Sequence, residues 1–298
     1  MRYLKIAFLA SSILIFFQNC SKEVATPAPV GEIWTKEKAN DWYKPLKWLV
    51  GADYIPATAI NELEMWQANT FDTTTIEKEF LLAENLGMNT MRVFLHDQLY
   101  QQDSIGFYSR INTFLKIAAR HGIRPMFVLF DSCWDPFPSL GKQRDPKPFV
   151  HNSGWVQSPG QLALKDSSQY LRLERYVKGV VGNFNSDSRI LAWDIWNEPD
   201  NMTGSSYQNI ELPNKIDYVL PLLKKSFDWA RSVNPTQPLT SAVWIGDWSS
   251  DAAMRPIEIL QVDRSDVVTF HNYGNPRDLE KRILDLQRFG RPVICTEY

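Results

Sequence analysis

Seven short apolar runs recur along the chain: Trp48–Ala52, Thr90–Leu95, Arg124–Phe130, Ile190–Ile195, Leu239–Val243, Asp266–His271 and Arg291–Thr296. Their length and apolar content predict strands, and the run through Ile190, Leu191 and Ala192 has the pattern of a strand covered on both faces. Between them the apolar period lengthens to that of a helix. Ile111, Phe114, Leu115 and Ala118 form one stripe, closed by Gly122. Asn275-Pro276 opens a second helix carrying Leu279, Ile283 and Leu286, which Gly290 closes. A third stripe, Ile216, Leu220, Leu223, Phe227 and Ala230, contains Pro221, so that helix is expected to start late or kink there. Strands alternating with helices predict one α/β domain built on a parallel sheet.

Loop lengths are unequal. Helix-to-strand connections are short, as at Gly122-Ile123 and Gly290, whereas two strand-to-helix connections, residues 53–72 and 131–165, are long. Long ordered loops in a compact domain are usually functional, and these leave the carboxyl ends of their strands. Two of those ends carry glutamate. Pro199 cannot donate to a ladder, so pairing should stop at Glu198 in Trp193-Asp194-Ile195-Trp196-Asn197-Glu198-Pro199. Arg291 to Thr296 leads likewise into Glu297, three repeats of roughly 30 to 35 residues further on, each the length of one strand-helix-strand unit. Asn197-Glu198-Pro199 alone is equally an Asn that caps the next helix and a Glu in a structural ion pair. Together the two motifs offer two carboxylates facing each other across a cleft, the arrangement glycoside hydrolysis requires. Trp66, Trp134, Trp155, Trp196, Trp244 and Trp248 fall at or just beyond strand ends, where an indole can stack on a sugar ring or simply pack into the core.

Asn197-Glu198-Pro199 on the fourth strand, His271-Asn272-Tyr273 on the sixth and Glu297 on the seventh resemble the clan A glycoside hydrolases, closest to family 5, from about Lys47 to Tyr298. The resemblance implies a (β/α)8 TIM barrel and retaining hydrolysis of a β-linked polysaccharide or oligosaccharide such as β-mannan, xylan or β-glucan, without cofactor or metal. It makes Glu198 the acid/base and Glu297 the nucleophile, with Arg92 holding Glu297 charged and Tyr273 bonding it. His271 would contact the substrate or the acid/base, and Asn197 the hydroxyl next to the reacting carbon; Asp131, Trp134 and Trp244 complete the expected substrate contacts. A retaining pair should lie about 5 to 5.5 Å apart. Two features depart from the pattern. Asp131 stands where the family usually has His, and the family's Trp on an eighth strand has no counterpart. The rival reading is a glycan-binding surface lipoprotein whose barrel no longer cleaves.

The amino end brings in location. Arg2 and Lys5 precede the apolar run Ile6 to Phe17, and Cys20 follows, the order of an export signal ending at an acylated cysteine, although Asn19 is not the small residue usual before such a site. Residues 1–20 are thus expected to be a lipoprotein-type signal, 21–40 a tether and 41–298 the barrel domain, lipid-anchored in the cell envelope and monomeric. Cys133 and Cys295 fall on well-separated strands, so no disulfide is expected; strand alternation places Cys295 on the inward face with Glu297. The formal net charge of −2 and the lack of a basic stripe argue against nucleic acid. His-Glu-x-x-His, a Gly-rich phosphate loop and a Gly-x-Ser-x-Gly elbow are absent. With seven strands countable, the chain is expected to be a carboxyl-terminal truncation of a longer hydrolase, with edges exposed on its first and seventh strands.

Overall fold

A computed structural model describes residues 31–202 and 207–298; Cys20, the signal and most of the tether lie outside the described residues. Seven parallel strands succeed one another in chain order. They are β1 (Gly51–Tyr54), β2 (Thr90–Phe94), β3 (Arg124–Asp131), β4 (Ala192–Asn197), β5 (Leu239–Thr240), β6 (Val268–His271) and β7 (Val293–Glu297). β1 to β5 form one sheet and β6 and β7 a second. The two are joined at Val243, whose N–H bonds Thr269 O at 3.1 Å and whose carbonyl accepts from His271 N at 3.0 Å. Among the described residues β1 pairs only with β2, and β7 only with β6. This is the (β/α)8-barrel class, seen open between β7 and β1.

The helices are α1 (Lys36–Tyr43), α2 (Glu62–Trp66), α3 (Thr73–Asn85), α4 (Asp97–Gln102), α5 (Ser104–Arg120), α6 (Gln161–Lys165), α7 (Tyr170–Asn183), α8 (Lys215–Arg231), α9 (Pro256–Arg264) and α10 (Pro276–Gln287). The expected stripe of α5 is fully buried at Ile111, Phe114, Leu115 and Ala118. It packs through Phe114 on Phe127 of β3 and on Trp66. Gly122 follows with φ +67°, where a side chain would be strained. Asn275 caps α10 by accepting from Arg277 N and Asp278 N, so Pro276 occupies the first turn, where a missing N–H costs nothing.

Several expected boundaries move. β1 starts at Gly51 and Trp48 is exposed, because the Asn89 side chain takes the backbone groups of residues 48–50: its Oδ1 accepts from Val50 N and its Nδ2 donates to Trp48 O. β5 ends at Thr240, since Ser265 Oγ takes Ser241 N and Gln261 Nε2 takes Ala242 O in place of a ladder. Neither a late start nor a break occurs at Pro221, which sits within α8. The carbonyl it deprives is that of Asp217, which is exposed and can bond water. The tether is shorter than 21–40: from Lys36 the chain is helical, and Trp34 and Ala39 are buried with Val267, with Trp42 and Ile294 packed against them. Trp42 and Leu46 also touch the Met126, Leu191 and Ala192 cluster, so this segment covers the amino-terminal mouth of the barrel.

Candidate active site

Asp131, Trp134, Asn197, Glu198, His271, Tyr273 and Glu297 gather at the carboxyl ends of the strands, and Arg92 reaches them from within β2. Glu198 directly follows β4 and takes φ +40°, left-handed backbone that a non-glycine residue adopts at a cost of about 1–3 kcal/mol. A turn over Pro199 holds it there, with Asn201 N donating to Glu198 O at 2.9 Å. Its side chain is buried. Oε1 lies 2.8 Å from His271 Nδ1, and Oε2 accepts from Asn201 Nδ2 and, at 3.4 Å, from Cys133 Sγ.

Glu297 closes β7 and is held by charge. Arg92 Nη1 donates to its Oε1 at 2.6 Å and Tyr273 Oη to its Oε2 at 2.6 Å. Burial pushes the Glu297 carboxyl up, but the Arg92 and His271 charges and the Tyr273 bond outweigh it and hold the group below the usual glutamate range. Arg92 is itself buried among acids: Nε and Nη2 donate to Asp194 Oδ2, Nη2 to Asn197 Oδ1 at 2.7 Å, and Nη1 also reaches Asp53 Oδ1 at 3.3 Å. Asp53 moves the other way from Glu297, raised by burial and by the Glu297 charge against the pull of Arg92.

Between the glutamates stands His271. Its Nε2 points toward Glu297 Oε1 at 3.5 Å and makes no hydrogen bond. One atom from each of Glu198, His271 and Glu297 lies within 4.8 Å of the others, a spacing that also suits a cation. At Glu297 that positive charge is already supplied by the Arg92 guanidinium, and both carboxylate oxygens are engaged. The arrangement therefore fits an acid and a nucleophile sharing an imidazole better than a metal site.

Asp131 ends β3 beside Asn197. It accepts from Asn197 Nδ2 at 2.9 Å, Trp155 Nε1 at 2.7 Å and Cys133 N at 3.0 Å, and burial raises it to about 6. In the family's histidine position the chain thus has an acceptor that fixes an amide and an indole. These groups open onto a cavity of about 440 Å³ lined by Asp53, Phe94, Asp131, Trp134, Trp155 and Glu297 among others. Trp244 lines a neighbouring cavity of about 520 Å³ that meets the first at Tyr273, and its Nε1 is bonded to Asp200 Oδ1. Trp66, Trp196 and Trp248 are core residues, their rings fully buried.

Cys295 is not on the inward face. Phe270 pairs with Cys295 but His271 with Glu297, so a bulge at Thr296 shifts the alternation, and Cys295 packs on the helix side with Phe270 and Val268. Cys133 and Cys295 are both free. Asp53, Cys133 and Asn201 belong to the site without having been singled out for it. Asp53 carried a signal, a carboxylate at the end of the first strand, while the other two lie on loops whose path no periodicity predicts.

A buried glutamate pair at the mouth of an α/β barrel, one member bonded by arginine and tyrosine, is an arrangement that suits glycoside hydrolysis. The sequence matches the family described as Cellulase (glycosyl hydrolase family 5) over residues 52–298. The chain belongs to that family. In fold it is similar to the β-mannanase of the blue mussel Mytilus edulis (14% identity, 84% of this chain and 86% of that one, TM-score 0.51). It is similar too to the endo-1,4-β-mannanases of Eisenia fetida (13%, 77% and 70%, 0.53) and Rhizomucor miehei (18%, 81% and 76%, 0.52). At such identities the likeness is one of fold. No curated protein sequence matches the chain.

Proposed function

We propose that the protein hydrolyses a β-linked glycan with retention, Glu297 as nucleophile and Glu198 as acid/base. The observation that carries this reading is the approach of the two carboxylates to within 4.8 Å between oxygens, well short of the 6.5–9.5 Å an inverting pair needs for its water. Glu297, kept ionised by Arg92, attacks the anomeric carbon while Glu198 protonates the departing oxygen. The resulting glycosyl ester is then opened by water that Glu198 deprotonates. Trp134 and Trp155 offer indole faces to the sugar. β-Mannan is the first substrate to try, since solved barrels of similar fold are mannanases, with β-glucan and xylan next. Turnover on this panel, with the anomer first released followed by NMR, tests the proposal: inverted product, or binding without turnover on every glycan, overturns it.

Export and acylation at Cys20 form part of the same proposal, supported by the basic, apolar, Cys order of the first twenty residues. No helix among the described residues is long and apolar enough to cross a membrane. Mass spectrometry of the mature amino terminus decides the matter, and an unmodified start beyond Cys20 sinks it.

A further inference from the structure

Lys215, the first residue of α8, is fully buried, and no step of the chemistry above uses it. Its ammonium spends all three protons on fixed acceptors: Ser132 O at 2.9 Å, Asn201 O at 2.9 Å and Glu211 Oε2 at 2.6 Å. Burial lowers the Lys215 pKa and the Glu211 charge opposes that shift. Glu211 Oε2 also accepts from Gln157 Nε2 at 2.6 Å, and the same amide donates to Trp134 O at 3.0 Å. One buried ion pair thus gathers the loop after β3, the turn after β4 and the start of α8.

The turn after β4 is the one that carries Glu198. Asn201 is gripped through its carbonyl by Lys215, its N–H closes the turn onto Glu198 O, and its Nδ2 donates to Glu198 Oε2. A buried ion pair is weak evidence for stability, because desolvation offsets much of the attraction, but it can hold one geometry against its alternatives. The turn needs such a hold, since Glu198 sits in the disfavoured left-handed region. We propose that Lys215, with Glu211, is a positioning residue that fixes the Glu198 carboxyl through Asn201, setting its proton toward the leaving oxygen. The inference rests on Glu198 being the acid/base.

Leaving-group dependence tests it. A dinitrophenyl glycoside departs without a proton, whereas a phenyl glycoside needs one, so a misplaced acid slows only the second. Lys215→Met, Asn201→Ala and, as reference, Glu198→Ala are compared on dinitrophenyl and phenyl β-mannobiosides and β-cellobiosides, with thermal unfolding run alongside. In Lys215→Met and Asn201→Ala, kcat/KM for the phenyl glycoside is expected to fall on the order of 10- to 100-fold, part of the full acid-catalytic factor, while the dinitrophenyl value changes by less than about 3-fold. Equal losses on both substrates, or none, overturn the inference. If Glu198→Ala itself shows no such split, the assignment of Glu198 fails instead. A readout independent of turnover is the 13C signal of the Glu198 carboxyl in glutamate-labelled protein. It should move in Lys215→Met and Asn201→Ala and stay put in a control at exposed Lys116→Met; an unmoved signal in the first two overturns the inference.

Discussion

The two glutamates that face each other across the cleft are held by different physics. β4, which ends just before Glu198, is buried at all six positions and hydrogen-bonded on both sides, to β3 and β5. It contributes Trp193, Ile195 and Trp196 to the main apolar cluster of the barrel. β7, which delivers Glu297, is partly exposed at all five positions and, among the described residues, pairs with β6 alone, with a small apolar cluster behind it. Packing fixes the strand behind the first carboxylate. The second is located by an arginine and a tyrosine, so the halves should fail differently: the β4 side to changes of shape, the β7 side to changes of charge.

The largest effect should come from the carboxylates themselves. Glu198→Ala and Glu297→Ala are each expected to lower kcat/KM on the order of 10²- to 10⁴-fold or more without unfolding the protein. Steady-state kinetics beside a melting curve checks this, and a variant that keeps wild-type turnover removes its glutamate from the mechanism. Next comes Arg92→Met, which strips one cation from Asp194, Glu297 and Asp53 at once. Breaking such a buried group by removing one partner costs about 3–5 kcal/mol, read by denaturant titration. The signs follow from Glu297, whose folded carboxyl lies below its unfolded value. Its contribution to stability is present above the usual glutamate range and lost as pH falls through the lowered folded value; in Arg92→Met that contribution shrinks, and the acid limb of the rate profile moves up.

Glu62 probes the packed half. Both its carboxylate oxygens are buried without a partner, and burial first, then the Asp131 charge, raise its pKa well above 4.5. The folded state therefore keeps a proton that the unfolded chain releases. Stability contributed by this group is complete below the unfolded value and declines as pH rises toward the folded one, by about 1.4 kcal/mol per unit. Glu62→Gln should remove that slope, stabilising the protein at pH 7 and leaving it unchanged near pH 4; equal melting shifts at both would refute this. The smallest effect is reserved for Tyr273→Phe on the exposed side. Loss of one hydrogen bond to Glu297 is worth about 1.5 kcal/mol, roughly tenfold in rate, with the acid limb again moving up. An unchanged limb would mean that Arg92 alone sets the charge of Glu297.

Alternation of apolar runs and helical stripes was enough to read the barrel's order of elements, because strands buried on both faces leave an uninterrupted apolar signature. Edges were harder to read. Trp48 and Val50 look like strand residues, and only the remote Asn89 side chain withholds them from β1. Glu198, Glu297, Arg92, His271 and Tyr273 could be picked out as strand-end residues. Lys215 and Asn201 could not, since a lysine at a helix start reads as solvent-exposed until tertiary packing encloses it. Cys295 was misread because a bulge leaves no mark in composition.

That bulge makes the register of β7 as consequential as its composition. Thr296 has no partner in the β6 ladder, and the residue after it regains the inward phase only because Thr296 is extra. Most substitutions at 296 should be tolerated by the backbone, and deletion of that one residue would leave Glu297 opposite His271 in an unbulged ladder, whereas pairing of Thr296 itself with His271 would turn Glu297 toward the helices, the side Cys295 faces now. A slip that absorbs the bulge into the ladder, more than a change of side chain, is therefore what this strand cannot tolerate: it would keep the barrel while losing the reaction.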